Sequence, residues 1–277
     1  MSRPPIDRGV VLLTGASSGI GAAMAALLAP RARVLILVAR RKARLDELAA
    51  ALNGQGADIE VRPADLADPS ARAGLIAGVL EDHGAVDVLI NNAGVGDFGL
   101  FERRDPRKVD AMLQVNVVGL TDLTRALLPG MLARGRGGVL MVSSGFGLHW
   151  MPGFSAYAAT KHYVTALSEG LRAELAGTGV VVTQLCPGPV ATEFVAHIDA
   201  PTDGDVPSVL QISAADCARS GLAGFDRGRA LVVPGPRHWL MIQPARIFPR
   251  WLVRPVLTLA GRILRRQLAE PPPPPSA

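Results

Sequence analysis

Val10-Val11-Leu12-Leu13-Thr14-Gly15-Ala16-Ser17-Ser18-Gly19-Ile20-Gly21 joins a short apolar run to a glycine-rich loop, and an alanine-rich helix is expected behind it from Ile20 to Ala29. Glycines at 15, 19 and 21 let the backbone turn tightly and approach a pyrophosphate. The helix start supplies N–H donors and the positive end of a dipole. The gaps are three residues and then one, unlike the common G-x-G-x-x-G spacing. Taken alone, the loop can also be read as an ordinary glycine turn. Its place between a first strand and a first helix is what favours phosphate binding.

Outward from this unit the same alternation continues. Arg33 to Ala39 is apolar without alternation, as expected of a strand buried on both faces. A helix is predicted over Lys42–Leu52, a strand near Ile59–Arg62 and a helix around Ala71–Asp82. A strand at Val86–Ile90 follows, then a long helical region from Arg107 to Leu132 and a strand at Gly138–Val142. A helix runs to about Ala176, Val180–Leu185 is the next strand, and Ala214–Ala223 and Ala230–Val233 add one helix and one strand. Strands alternating with helices imply right-handed crossovers and a parallel, doubly wound α/β sheet of Rossmann type. Residues 1–236 are expected to form one catalytic domain. After Pro234 the regularity ends, leaving 237–277 as a basic, apolar extension with a proline-rich tail at Pro271–Pro275.

The helix after Pro152 carries the chemistry. Ala156, Ala159, Tyr163 and Leu167 recur there at helical spacing. Tyr157 and Lys161 are four apart and so share a face. A phenol loses its proton at about pH 10, and a nearby ammonium lowers that value, so the pair could exchange a proton with a carbonyl or alcohol. Any helix can carry such a pair on its surface. The residues around it decide the reading.

At the end of the second strand an acidic residue would hold the ribose 2′-hydroxyl of NAD. Here Ala39 is followed by Arg40 and Arg41. Nothing there repels a 2′-phosphate, and Arg40 is the expected fork donor to it. The alternative is that both arginines only solvate the start of a helix. NADP(H) is favoured, with NAD(H) as the other candidate.

With these features, Asn91-Asn92-Ala93-Gly94 after the fourth strand, and Ser144 thirteen residues before Tyr157, the chain resembles the short-chain dehydrogenases/reductases. Asn116 in Val115-Asn116-Val117-Val118-Gly119 matches a fourth catalytic position of that family. Pro187-Gly188-Pro189-Val190-Ala191-Thr192 matches its P-G-x-V-x-T segment, and Asp65-Leu66 its adenine-contacting pair. The resemblance extends from about Gly9 to Thr192. It implies that Tyr157 is the general acid or base, that Lys161 lowers its pKa and holds the nicotinamide ribose, and that Ser144 positions the substrate oxygen. Asn116 would support a proton relay. It also implies that Asn92, with Ala93 and Gly94, sits beside the cofactor, that Asp65 and Leu66 face the adenine, and that Val190 and Thr192 face the carboxamide. Pro187 and Gly188 belong to the same loop. Members are usually homo-dimers or homo-tetramers, built on the helices that start here near Arg107 and Ser155. Residues 194–210 fall where the family keeps its variable substrate lid.

Composition excludes some other classes. Of 277 residues, 49% are apolar and 19% charged, which indicates a folded protein rather than a disordered one. The net charge of +5 is modest, and no zinc-ligand spacing or aromatic-basic motif supports nucleic-acid binding. Cys186 and Cys217 form no spaced metal motif, and a reduced, cytoplasmic setting is expected. No apolar run approaches the ~20 residues of a membrane span. His149 and Trp150 follow Ser144 closely and are candidate pocket-lining residues without a catalytic role.

The function expected is an NADP-preferring oxidoreductase that interconverts a ketone or aldehyde and an alcohol. An NAD-dependent alcohol dehydrogenase is the alternative within the fold. A non-catalytic cofactor-binding regulatory protein is the alternative outside it, and the intact Ser144, Tyr157, Lys161 and Asn116 set argues against that. Between Arg237 and Arg266 every charged side chain is an arginine, interleaved with Trp, Leu and Ile. Pro244, Pro249 and Pro255 are expected to break this stretch into short pieces before a helix from Val256 to Leu268. It reads either as a cover over the cleft or subunit interface, or as a peripheral contact with an anionic membrane.

Overall fold

The computed structural model describes residues 3–191, 193 and 211–269. Thr192, the segment 194–210 expected as a substrate lid, and the proline-rich tail lie outside the described residues. In chain order the elements begin with β1 (Val10–Thr14), α1 (Gly19–Leu28), β2 (Val34–Ala39), α2 (Lys42–Leu52), β3 (Asp58–Pro63), α3 (Pro69–His83) and β4 (Val88–Asn91). Then come α4 (Pro106–Leu113), α5 (Leu120–Ala133), β5 (Gly137–Val142), α6 (Ser155–Glu174) and β6 (Val180–Leu185). The short strands β7 (Val190–Ala191) and β8 (Ile212–Ser213) precede α7 (Ala214–Asp226) and β9 (Leu231–Val232). Two helices close the described chain, α8 (Pro236–Ile247) and α9 (Arg250–Ala269).

Seven strands form one sheet in the order β3-β2-β1-β4-β5-β6-β9. Every pairing in it is parallel, with Leu12 opposite Ile36 on one side and Leu89 on the other. This is a Rossmann-type sheet, as its apolar runs predict. Alternate residues of one strand serve opposite faces. Val11 and Leu13 pack with Met24, Leu28, Leu222 and Phe225 beneath α1 and α7. Val10 and Leu12 pack with Val79, Leu123, Leu127 and Met131 beneath α3 and α5. Strand order reverses between β1 and β4, and a crevice opens there, beyond the strands' C-terminal ends.

Two local expectations are corrected and one is refined. The helical stretch from Arg107 to Leu132 is not continuous: α4 and α5 are joined by a π-helical turn, Gln114–Gly119. A Cβ at Gly119 would lie 3.1 Å from both the Gln114 and Leu66 carbonyl oxygens, so the turn fits only against bare backbone. The helical spacing of Ala156, Ala159, Tyr163 and Leu167 is borne out by α6, but these residues do not form its inner face. That face is Tyr157, Ala158, Thr160, Lys161, Val164 and Ser168, because polar partners come from neighbouring elements. Regularity also does not end at Pro234. Pro255 sits inside α9, where the carbonyl it leaves unpaired belongs to exposed Trp251.

Arg72, from α3, anchors the loop after β3 that holds Asp65 and Leu66. It is 3% exposed, donating from Nη1 to the Leu66 carbonyl at 2.8 Å and from Nε to Asp122 Oδ2 at 2.9 Å. Arg72→Met is expected to lower the unfolding free energy by about 1–3 kcal/mol. Urea denaturation checks this, and an unchanged midpoint would contradict it.

Candidate active site

The glycine loop between β1 and α1 lies against the loop after β4. Gly15 and Gly19 have φ of 68° and 55°. A Cβ at Gly15 would come within 2.8 Å of Ala93 Cα, and one at Gly21 within 2.1 Å of the Gly15 carbonyl oxygen. Asn92 Nδ2 donates to the Thr14 and Gly15 carbonyls at 2.9 and 3.1 Å. Buried Thr14 accepts at its hydroxyl from the Asn92 and Ala93 amides, each at 3.0 Å. These bonds hold the loop open as a backbone cradle. Ser18, the residue before α1, makes no side-chain cap, so its hydroxyl does not take up the first-turn N–H groups of the helix.

The arginine that reaches this cradle is Arg41. Its Nη2 donates to Ser17 Oγ at 3.1 Å and Ser18 Oγ at 2.9 Å, and its Nη1 meets Glu193 Oε2 at 2.8 Å. Arg40, the residue expected from sequence, is exposed one position earlier. At the adenine side Asp65 accepts from the Ala67 amide at 2.9 Å, and Leu66 is buried.

The four expected catalytic side chains converge at the C-terminal ends of β4 and β5. Asn116 lies in the π-helical turn and is fully buried. Its Nδ2 donates to the Val95 carbonyl at 2.8 Å and to Thr160 Oγ1 at 3.0 Å, and its Oδ1 accepts from the Val95 amide at 2.9 Å. Lys161 donates from Nζ to the Val142 carbonyl at 3.0 Å. A Cβ on Gly94 would stand 3.2 Å from that Nζ and 3.4 Å from Asn116 Oδ1, so Gly94 is what lets the two approach the cradle together. Ser143 is occupied elsewhere, donating to the Lys161 carbonyl at 3.0 Å. Ser144 is half-buried, accepts from the Phe146 amide at 3.2 Å and hydrogen-bonds Tyr157.

Burial dominates the electrostatics. It pushes the Tyr157 phenol up to about 12, with the Ser144 hydrogen bond acting weakly the other way. It pushes the Lys161 ammonium down to about 8. The lysine stands 5.8 Å from the tyrosine ring centroid. The largest influence on the phenol is thus burial, which raises it, where a lowering by Lys161 was expected. Cys186, also buried, is raised to about 12 and is an inert apolar neighbour.

Several contributors escaped the sequence reading. Phe146 stands edge-on to Tyr157 at 6.1 Å and stacks on Phe154 at 4.6 Å, and Phe98 meets Phe154 at 4.8 Å. His149 and Trp150, named from the sequence as candidate lining residues, lie close by: His149 packs on Phe146 at 5.1 Å, and Arg250 lies over Trp150 at 5.3 Å. His238, from α8, is 9% exposed and rests on the backbone of Gly145 and Gly188. A Cβ at those positions would come within 2.9 and 2.3 Å of its ring. Among the described residues neither ring nitrogen of His238 has a hydrogen-bond partner, and burial lowers its pKa. Pro187 ties the same loops together, its carbonyl accepting from the Gly145 amide at 2.7 Å, with Val190 buried just beyond.

A family model described as short chain dehydrogenase matches residues 9–203. Glycine betaine reductase ATRR of Emericella nidulans is 37% identical over 191 residues, covering 69% of this chain but only 15% of that protein's length. A dehydrogenase/reductase SDR family protein 7-like of Anopheles gambiae is 33% identical over 262 residues, 88% of this chain and 82% of its own. Among solved structures, a short-chain dehydrogenase from Sphingobium yanoikuyae in complex with NADPH has a TM-score of 0.73 at 32% identity, covering 97% of this chain and 98% of that one. A bulky-bulky ketone specific alcohol dehydrogenase from Comamonas testosteroni has a TM-score of 0.73 at 28% identity, covering 97% of both chains.

Proposed function

Since the chain belongs to the short-chain dehydrogenase family and is an oxidoreductase, we propose that it reduces a ketone or aldehyde to an alcohol with NADPH. The observation that carries this reading is the buried Tyr157 hydrogen-bonded to Ser144 beside Lys161 and Asn116. A nicotinamide nucleotide in the backbone cradle supplies the hydride. As negative charge grows on the carbonyl oxygen, Ser144 and Tyr157 offer it two hydroxyl donors, and Tyr157 gives up its proton. A phenol carries its proton at neutral pH and can give it to a developing alkoxide, as the reducing direction requires. Lys161 and Asn116 hold this arrangement through Val142, Val95 and Thr160. The Phe146 and Phe154 rings beside Tyr157, with Phe98 packed on Phe154, favour an aromatic or bulky apolar substrate. The relation to a ketone-specific alcohol dehydrogenase supports the same choice. Mixing the protein with NADPH and a panel of aromatic and aliphatic ketones and aldehydes tests it. Loss of reduced-cofactor absorbance is expected, and no loss with any of them would refute the reading.

NADPH is favoured over NADH on two grounds. No acidic side chain follows Ala39, and Arg41 already lies on the serine hydroxyls of the glycine loop. An NADPH-bound relative is consistent with this. A charge-assisted contact is worth about 1.5–3 kcal/mol. Arg41→Ala should therefore raise the Michaelis constant for NADPH roughly 10-fold or more above its effect on NADH. Arg40→Ala should do less. Equal effects on both cofactors would contradict the assignment. The same reading makes the protein a homo-dimer or homo-tetramer through α4, α5 and α6, where Leu113, Leu132 and Tyr163 are exposed; sedimentation velocity showing only a monomer would contradict it.

A further inference from the structure

Helix α9 has two faces, and among the described residues only one of them is covered. Val253, Leu257, Gly261, Leu264 and Leu268 are half-buried and turn inward. The helix is held there by Arg265 Nη1 on Glu102 Oε1 at 2.7 Å and by Arg103 donating to the Leu268 carbonyl at 3.1 Å. On the outer side Leu252, Val256, Leu259 and Ile263 recur at steps of four, three and four. They form a second apolar stripe that is 45–68% exposed. At 100° per residue, exposed Arg262 and Arg266 fall beside this stripe. Where α8 meets α9 the pattern continues, with Trp239, Leu240, Ile247 and Trp251 more than half exposed.

An apolar stripe in water is unfavourable unless something covers it, and the charge beside it limits what that can be. From Arg237 to Arg266 there are seven arginines and no acidic residue. An isologous contact with a second copy would set these arginines against themselves with no carboxylate on the segment to offset them. An anionic lipid surface meets both requirements: acyl chains cover the stripe, and head groups pair with the arginines. No helix among the described residues is long and apolar enough to cross a bilayer, so the contact is interfacial. We propose that the outer faces of α8 and α9 form a docking surface for an anionic membrane, on which the helices lie in the interface plane. The active site would thereby be held close to the bilayer, where apolar carbonyl compounds concentrate.

Cutting the chain after Gly235 is a poor test, because α8 also delivers His238 and buried Ile242 to the body of the protein. The test is therefore vesicle co-sedimentation of the full chain and of outer-face variants. Wild type should pellet with phosphatidylcholine vesicles containing phosphatidylglycerol, at least tenfold better than with phosphatidylcholine alone, and high salt should weaken the binding. Val256→Glu with Leu259→Glu should lower partitioning at least tenfold. Arg262→Gln with Arg266→Gln should lower it roughly tenfold, and the double Lys variant should restore it. Unfolding curves and NADPH oxidation, measured alongside, confirm that each variant is folded. The proposal is overturned if wild type does not pellet with anionic vesicles, or if the folded Val256→Glu, Leu259→Glu protein pellets equally well. It is equally overturned if that variant dissociates a larger species in sedimentation velocity while wild type ignores vesicles, which would assign the stripe to a second copy.

Discussion

Tyr157→Phe is expected to lower carbonyl reduction by roughly 10²–10⁴-fold, the usual worth of a positioned general acid. One hydroxyl is lost while the ring, 6% exposed, keeps its contacts with Phe146 and Phe154. Unfolding free energy and NADPH affinity should change little, since the cradle at Gly15, Gly21 and Asn92 does not involve the phenol. The comparison is a stopped-assay rate for both proteins at saturating cofactor, with NADPH binding followed by fluorescence. A Phe variant that turns over at the wild-type rate would remove Tyr157 from the reaction.

The second large effect separates stability from activity at Lys161. The ammonium is buried, and its pKa falls from 10.5 to about 8. Between those values the unfolded chain binds more protons than the folded one, so stability rises with pH across that window. Below about pH 8 the folded protein carries the full cost of a desolvated charge, of the order of 3 kcal/mol at most. Lys161→Met, similar in length and uncharged, should be more stable than wild type at pH 7, with the advantage shrinking toward pH 10. The lost bond to the Val142 carbonyl offsets part of the gain. Turnover should fall as steeply as in Tyr157→Phe. Urea denaturation at several pH values measures the first expectation, and a Met variant less stable than wild type at pH 7 would overturn it. Residues retained at a cost in stability are expected where function demands them.

The sheet was legible because a strand buried on both faces must be apolar throughout. Residues 10–13 and Val34–Ala39 satisfy that without help from distant residues. Helix α2 was legible to the residue for a similar local reason. The inner face of α6 was not. Thr160, Lys161 and Ser168 are polar and yet buried, and their acceptance depends on Asn116, Val142 and Val164, only the last of which is near in sequence. The π-helical turn was hidden because its cause is the close passage of Leu66 against Gly119. Arg41 in place of Arg40 turned on which of two adjacent side chains points back over the glycine loop, and two neighbours in sequence look alike until the strand end is drawn. At the C-terminus, three prolines suggested broken pieces. A proline can stay in a helix whose neighbouring carbonyl faces water, and Pro255 does.

His238 lies on Gly145 and Gly188, more than fifty residues after the last catalytic position in the chain. During synthesis the seven strands through β9 can pair once residue 232 has emerged. The loops that carry Ser144 and the Pro187 turn still lack their cover at that stage. A nascent chain stalled near residue 235 would thus be a folded sheet with an unfinished active site.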